Sequence, residues 1–142
     1  MKKILILNGP NLNFLGIREP GIYGSDTMDD CLSKLQEHFQ GVTLEAFQSN
    51  SEGGLIDRLQ ATIADGTEGV VFNAGAYTHT SLALADCIRS LRVPVVEVHI
   101  SNVYAREEIR HRSLIAPACK GVISGFGLGS YRLAVEALLM EA

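Results

Sequence analysis

The sequence predicts an α/β fold built on a doubly wound, five-stranded parallel sheet. Short runs of valine, isoleucine, leucine and phenylalanine lack strict alternation, which is typical of strands buried on both faces. Segments of helical period separate these runs, and regular alternation of strands and helices favours a parallel sheet. Because the chain has 142 residues, we expect a single domain spanning 1–142.

The five strands are predicted at 3–8, 42–48, 69–73, 95–99 and 121–125. Crossovers between parallel strands are right-handed, which leaves few topologies for a sheet of this size. We therefore expect the flavodoxin-like strand order 2-1-3-4-5.

Four helices are predicted where apolar residues recur every three or four positions, the first of them behind the capping candidates Ser25, Asp26 and Thr27. Their apolar faces comprise Met28, Cys31, Leu32, Leu35 and Phe39; Leu55, Ile56, Leu59 and Ile63; Leu82, Ala85, Ile88 and Leu91; and Leu133, Val135, Ala137 and Leu138. A fifth, shorter and charged helix is predicted over 105–110.

Charge and hydropathy exclude several classes of partner. Lysine and arginine number 12 against 16 acidic residues, a formal net charge of −4, so no global basic field attracts nucleic acid or an anionic membrane. No apolar run reaches the length of a transmembrane helix. The run after Lys2 and Lys3 is only four residues long, which favours a first strand over a signal peptide. We expect a cytoplasmic protein.

The cysteines and histidines do not predict a metal site. Cys31, Cys87 and Cys119 are widely spaced, with no CxxC or Cys/His ligand pattern. We expect them to be small buried hydrophobic residues. His79 and His99 lack the close spacing of metal ligands.

A long loop follows the first strand. Residues 9–24 contain glycine and proline at six positions and show little periodicity, which is unusual inside a compact domain and suggests a functional lid over about 11–24. Asn11, Arg18 and Tyr23 lie in this loop.

Polar side chains collect where the predicted strands end. In an open α/β sheet, ligands bind outside the carboxyl ends of the strands. The polar residues at these ends are Asn8, Asn11, Gln48, Ser49, Asn50, Asn73, Tyr77, Thr78, His79, Glu97, His99, Ser101, Asn102 and Ser124. Any one of them could be a cap or a turn residue, but the whole set predicts a small-molecule site.

These residue types suit acid–base chemistry. Histidine titrates near neutral pH, and Glu97, two residues before His99 on one strand, shares its face and could orient the imidazole. Tyrosine is too weak an acid to serve as a base at neutral pH unless a nearby cation such as Arg18 stabilises its anion. Tyr23 as base and His99 as acid form a coherent pair for removing a proton and expelling a hydroxyl.

Two further patterns are less specific. Arg106, Arg110 and Arg112 lie in a charged segment that is either a solvated helix or the source of an arginine that holds an oxygen-rich ligand. Spacing places Arg106 and Arg110 on one face. None of the four lysines falls at the end of a strand, which argues against a Schiff-base lysine.

Two other functions occur on the same predicted fold. A module for FMN or a nucleotide needs a phosphate-binding loop after the first strand, where this chain has Pro10, Leu12 and Phe14. A signalling receiver domain needs an acidic cluster at the ends of strands one and three, where this chain has asparagine.

Four motifs resemble the type II 3-dehydroquinate dehydratases. They are NGPNLNFLGIREPGIYG at 8–24, QSNSE at 48–52, NAGAYTHTS at 73–81 and EVHISNVYAREE at 97–108. The likeness extends over nearly the whole chain. It implies dehydration of 3-dehydroquinate to 3-dehydroshikimate, in the shikimate pathway, by anti elimination through an enolate, with no imine and no cofactor.

The resemblance also implies catalytic roles. Tyr23 would take the C2 proton, and Arg18 would keep Tyr23 ionised. Asn11 would hold a water against the enolate oxygen. His99 would protonate the departing C1 hydroxyl, with Glu97 behind it.

Substrate-binding roles follow from the same likeness. The residues that would hold the substrate carboxylate, nearby oxygens and ring hydroxyls are Asn73, Gly75, His79, Ile100, Ser101 and Arg110. Asp86 would reach in from a neighbouring subunit, which ties the site to a trimer, and trimers would assemble into a dodecamer.

Overall fold

The sheet has the predicted architecture. A computed structural model describes residues 2–17 and 26–140. Its strands are β1 (Lys2–Asn8), β2 (Val42–Gln48), β3 (Gly69–Asn73), β4 (Val95–His99) and β5 (Gly121–Ser124). All neighbours pair in parallel, in the order β2-β1-β3-β4-β5, which confirms the flavodoxin-like prediction.

Side chains alternate between two cores along the central strands. In β1, Ile4 and Ile6 point to one face, and Leu5 and Leu7 to the other, because successive strand residues face opposite ways. The helices are α1 (Met28–His38), α2 (Glu52–Ala61), α3 (Leu82–Ser90) and α4 (Gly129–Leu139). Helices α1 and α4 cover the first face, and α2 and α3 cover the second.

Hydroxyl caps fix where three of the helices begin. Thr27 accepts a hydrogen bond from the backbone N–H of Asp30, whose carboxylate accepts from the Thr27 N–H in return. Ser51 and Ser81 cap α2 and α3 by accepting from the backbone N–H groups of Gly54 and Leu84, with no reciprocal side-chain bond. Each cap satisfies an N–H group that the helix itself leaves unpaired.

The predicted helix over 105–110 is wrong. The chain forms two separate 3-10 turns there, Val103–Ala105 and Glu108–His111. Arg106, between them, is extended. A longer helix needs an apolar face to bury, and Ile109, the one large apolar residue after Tyr104 in this segment, is exposed.

Three predicted core positions are also wrong, and one of them is Leu133, which is 42% exposed on α4. Ile63 is exposed because α2 ends at Ala61, and Leu82 is exposed at the first position of α3. The cysteines agree with expectation: Cys31 and Cys87 are buried and Cys119 is half-buried. Burial raises the pKa of Cys31 to about 11. Across 2–17 and 26–140, no helix has the length and apolar character needed to cross a membrane.

Thr78 offers a test of polar burial in this fold. Its hydroxyl is buried and has no hydrogen-bond partner among the described residues. Replacing an unsatisfied hydroxyl by a methyl group of similar shape removes a desolvation cost. We therefore expect Thr78→Val to leave the free energy of unfolding within about 0.5 kcal/mol of the parent, or to raise it.

The matched control is Thr62→Val. The Thr62 hydroxyl is also buried but donates to the Leu59 carbonyl at 2.6 Å, so this change should cost about 1 kcal/mol. Urea titrations of both variants make the comparison. A larger loss of unfolding free energy in Thr78→Val than in Thr62→Val would contradict this expectation.

Candidate active site

A cavity opens at the carboxyl ends of β1, β3 and β4. Its wall is formed by residues that follow those three strands. The polar residues on this wall are Asn11, Asn73, His79, His99, Ser101, Arg106 and Arg110; Gly75 and Ile100 line it as well. The cavity lies where the topology of an open α/β sheet places ligand sites.

Glu97 and His99 form a close buried pair at the end of β4. Because they are two residues apart on one strand, their side chains share a face. His99 Nε2 lies 2.6 Å from Glu97 Oε2, and the two residues are 7% and 1% exposed. A buried ionised carboxylate needs such a partner, so Nε2 carries the proton and donates it to Glu97. His99 Nδ1 has no partner among the described residues, which leaves it available to a ligand.

The second histidine, His79, is held through its Nδ1 atom, whereas His99 is held through Nε2. His79 Nδ1 lies 2.8 Å from the Arg112 carbonyl oxygen. A carbonyl only accepts, so Nδ1 is protonated and Nε2 is left for a ligand. The two imidazoles are stacked, with ring centroids 6.2 Å apart and planes 21° apart. The two histidines, one at the end of the 3-10 helix Gly75–His79 and the other at the end of β4, therefore line the same small cavity.

Asn73 is fixed by a buried network. Its Nδ2 donates to the Tyr131 hydroxyl at 2.9 Å, and its Oδ1 accepts from the Gly75 N–H at 3.1 Å. The Tyr131 hydroxyl donates in turn to Asn8 Oδ1 at 2.7 Å. Burial raises the pKa of Tyr131 well above its usual range, so the hydroxyl keeps its proton. This network leaves the second Nδ2 proton of Asn73 for a ligand.

Tyr131→Phe tests that network. Without the hydroxyl, Asn8 Oδ1 and Asn73 Nδ2 lose a partner while buried, which should lower the free energy of unfolding by about 1–3 kcal/mol. The resemblance implies that Asn73 binds the substrate, and its less fixed orientation should then raise KM more than it lowers kcat. Steady-state kinetics and urea titration measure both. Unchanged stability and KM would contradict the role of the Tyr131 hydroxyl in holding Asn73.

Backbone conformation shapes the entrance to the cavity. Gly75 has φ of +60°, and a side chain there would also lie 3.2 Å from the Pro10 carbonyl oxygen. Asn11 has φ of 69°, a region that asparagine tolerates better than most residues. Its N–H donates to Asn50 Oδ1 at 3.0 Å, which anchors the loop after β1.

Both arginines predicted to share a face line the cavity, although no common helix carries them. Arg110 Nε lies 3.3 Å from Glu107 Oε1, and the same oxygen lies 3.8 Å from Arg106 Nε. Arg106 Nη1 also donates to the Ser101 hydroxyl at 3.5 Å. Arg112 contributes its carbonyl to His79, not a side chain to the cavity wall.

Not every predicted site residue can be placed on the cavity wall. Arg18, Tyr23 and the second half of the predicted lid, residues 18–24, fall outside the described residues. Asp86 lies on the surface of α3, where its side chain is 79% exposed and 3.6 Å from Arg89, so within this one chain it does not reach the cavity. Gln48 braces the loop after β1 by donating to the Gly9 carbonyl at 3.1 Å.

Two residues that the sequence did not single out support the site. One is Tyr131. The other is Ser113, whose hydroxyl donates to Glu97 Oε1 at 2.7 Å. Cys119 is also near this carboxylate: burial, with a smaller contribution from the charge of Glu97, raises the pKa of its thiol to about 12. The thiol therefore stays protonated and is not a nucleophile at neutral pH.

The fold and the cavity together define a small-molecule site built for proton transfer on a flavodoxin-like sheet. The family model described as Dehydroquinase class II matches residues 2–139. The chain belongs to this family.

Two relatives and a crystal structure support the same family. The chain is 58% identical over 137 residues to a 3-dehydroquinate dehydratase of Rhizobium etli, covering 95% of this chain and 94% of that one. It is 51% identical over 140 residues to a 3-dehydroquinate dehydratase of Caldicellulosiruptor bescii, covering 97% of each. The crystal structure of the type II dehydroquinase from Butyrivibrio crossotus matches with a TM-score of 0.95 and 46% identity, covering 98% of each chain. None of these findings supports an FMN or nucleotide module.

Proposed function

We propose that this chain is a hydro-lyase that removes water from 3-dehydroquinate to give 3-dehydroshikimate, in the shikimate pathway. Family membership and the names of relatives at 51–58% identity support this reaction. The structural observation that carries it is the buried Glu97–His99 pair at the cavity, 2.6 Å apart. An imidazole with one nitrogen held by a carboxylate and the other available to a ligand suits a general acid.

The elimination uses one base and one acid. Tyr23, kept ionised by Arg18, takes the proton from C2 of the substrate and gives an enolate. Asn11 holds a water that stabilises the enolate oxygen. The His99 imidazolium then gives its Nδ1 proton to the C1 hydroxyl, which leaves as water, and Glu97 stabilises the charged ring until that transfer.

Substrate binding uses the groups that the fold brings to the cavity wall. Asn73 and Gly75, with the backbone N–H groups of Ile100 and Ser101, hold the substrate carboxylate and nearby oxygens. His79 Nε2 accepts a hydrogen bond from a ring hydroxyl, because its Nδ1 is committed to a carbonyl. Arg110 holds the other ring hydroxyls.

We also propose where the enzyme acts and how its subunits assemble. Residues 1–142 form one catalytic domain that acts in the cytoplasm. Asp86 contacts the site of a neighbouring subunit, a role that its exposure on α3 permits. Trimers formed in this way assemble into a dodecamer, which sedimentation of the purified chain measures directly.

Ultraviolet absorbance tests the reaction. Dehydration creates a conjugated enone, so absorbance should rise when the purified chain meets 3-dehydroquinate and should saturate with substrate. No rise at any substrate concentration would overturn the proposed function.

Tyr23→Phe tests the base. Removing the phenol oxygen removes the only atom of that side chain that can take a proton, so turnover should fall by at least about a hundredfold. Substrate affinity should stay within about tenfold, because one polar contact is worth about 1.4 kcal/mol or less. Tyr104→Phe is the control, since the Tyr104 side chain is exposed and does not line the cavity. Near-normal turnover by Tyr23→Phe would contradict the assigned role.

A further inference from the structure

Ser113 occupies a fixed place between the two 3-10 turns Glu108–His111 and Ala116–Ala118. Its hydroxyl oxygen lies 2.7 Å from Glu97 Oε1 and accepts the backbone N–H of Ala116 at 2.9 Å. The side chain is not part of the cavity wall. It therefore touches the carboxylate that holds His99 without meeting a ligand.

The direction of this hydrogen bond is settled by its partners. A backbone N–H only donates, so the bond from Ala116 occupies a lone pair of the Ser113 oxygen. An ionised carboxylate only accepts, so the hydroxyl proton of Ser113 goes to Glu97. Both carboxylate oxygens are then engaged, Oε1 by Ser113 and Oε2 by His99. Two fixed oxygens hold the plane of the carboxylate and, through it, the imidazole.

The residues beside Ser113 are hydrogen-bonded to the segment that carries His79. The carbonyl of Arg112 accepts from His79 Nδ1 at 2.8 Å, and the N–H of Leu114 donates to the Thr78 carbonyl at 2.8 Å. Ile115 is fully buried in the core. Because the residues on both sides of Ser113 are hydrogen-bonded and Ile115 is buried, the segment has little freedom to move Ser113 away from Glu97.

We propose that Ser113 is a positioning residue, which holds Glu97 so that His99 presents its Nδ1 to the leaving hydroxyl; this rests on the proposed function. Without the Ser113 hydroxyl, Glu97 Oε1 is a buried acceptor with no partner. The carboxylate then turns toward other donors, and the imidazole loses its fixed orientation.

Ser113→Ala should lower kcat by at least about tenfold, a part of the hundredfold or more that a well-placed general acid supplies. KM should stay within about twofold, because Ser113 is outside the cavity wall. Ser113→Thr keeps the hydroxyl and should restore most of kcat. Ser90→Ala is the control, since the Ser90 hydroxyl also makes a short bond, to the Cys87 carbonyl at 2.6 Å, on α3. A kcat for Ser113→Ala within about twofold of the parent would overturn the proposal.

A double-mutant cycle separates positioning from a general structural effect. If Ser113 acts through Glu97, then Ser113→Ala in a Glu97→Ala background should change kcat by no more than about twofold. A full tenfold loss in that background would show that Ser113 acts by another route and would overturn the proposal. If the alanine variant fails to fold, Ser113→Cys keeps the size of the side chain with a weak donor and should show the same loss of kcat.

A spectroscopic readout keeps this inference distinct from the proposed function. The His99 Nε2 proton, held by a short bond to a carboxylate, should give a downfield imidazole N–H resonance in the parent. Ser113→Ala should shift or broaden it, and Ser90→Ala should leave it unchanged. A chain that fails to dehydrate 3-dehydroquinate but shows this pattern would refute the function and support the positioning role. An unchanged resonance in Ser113→Ala would refute the positioning role alone.

Discussion

Glu97→Gln should lower kcat by about a hundredfold to ten-thousandfold with little change in KM. The amide is nearly the same size as the carboxylate, so the side chain should stay in place. Ser113 donates toward the oxygen at the Oε1 position, which directs the amide nitrogen toward His99 Nε2. His99 Nε2 must then accept a hydrogen bond, so the ring is held neutral.

A neutral imidazole is a far weaker acid than an imidazolium, and departure of the hydroxyl should become rate-limiting. The measurement is kcat and KM from the enone absorbance, with Glu37→Gln as control because Glu37 is exposed on α1. Circular dichroism checks that both variants fold. A kcat for Glu97→Gln within about threefold of the parent would contradict the role of this carboxylate.

Gly9→Ala should destabilise the chain by about 2–3 kcal/mol and abolish most of the activity. A Cβ atom at Gly9 would lie 2.6 Å from the Ala74 carbonyl oxygen and 2.7 Å from its carbon. Both are backbone atoms, so no side chain can rotate to make room. β1 and β3 meet at this point, where the Gly9 N–H donates to the Asn73 carbonyl at 2.7 Å. Any separation therefore displaces Asn73 and the loop that carries Asn11.

Gly41→Ala is the matched control for this change. Nothing lies within 4 Å of a Cβ at Gly41, and its φ is not positive. The substitution should leave the free energy of unfolding unchanged or raise it by up to about 1 kcal/mol. Urea midpoints of both variants give the comparison. Equal stability of the two would show that β1 and β3 have room for a side chain at Gly9.

The sheet could be predicted closely because its central strands β1, β3 and β4 are buried on both faces, whereas the edge strands β2 and β5, expected to be buried as well, are partly exposed. Strands buried on both faces appear in the sequence as unbroken apolar runs, and the cap at Thr27 is a local pattern as well. The segment around Arg106 could not be predicted in the same way. Its charges fit a helix locally, but the absence of a buried face, which is a tertiary property, decides against one.

The site could be predicted best where its residues lie at the end of a strand or just beyond it. Glu97 and His99 are two residues apart, so their shared face follows from the strand itself. Ser113 and Tyr131 act over long separations, with Tyr131 bonding to Asn8 across 123 positions. No local period signals such a contact. The role of Asp86 between subunits, assigned through the family likeness, stays a prediction.

We propose that this chain dehydrates 3-dehydroquinate by acid–base chemistry, without a lysine imine. The most direct test is the enone absorbance after the purified chain has been treated with borohydride in the presence of substrate, which reduces any imine to a stable amine. None of the four lysines lines the cavity, so absorbance should still rise at the rate of the untreated chain. Loss of the rise, together with a substrate-sized increase in protein mass, would contradict the proposal.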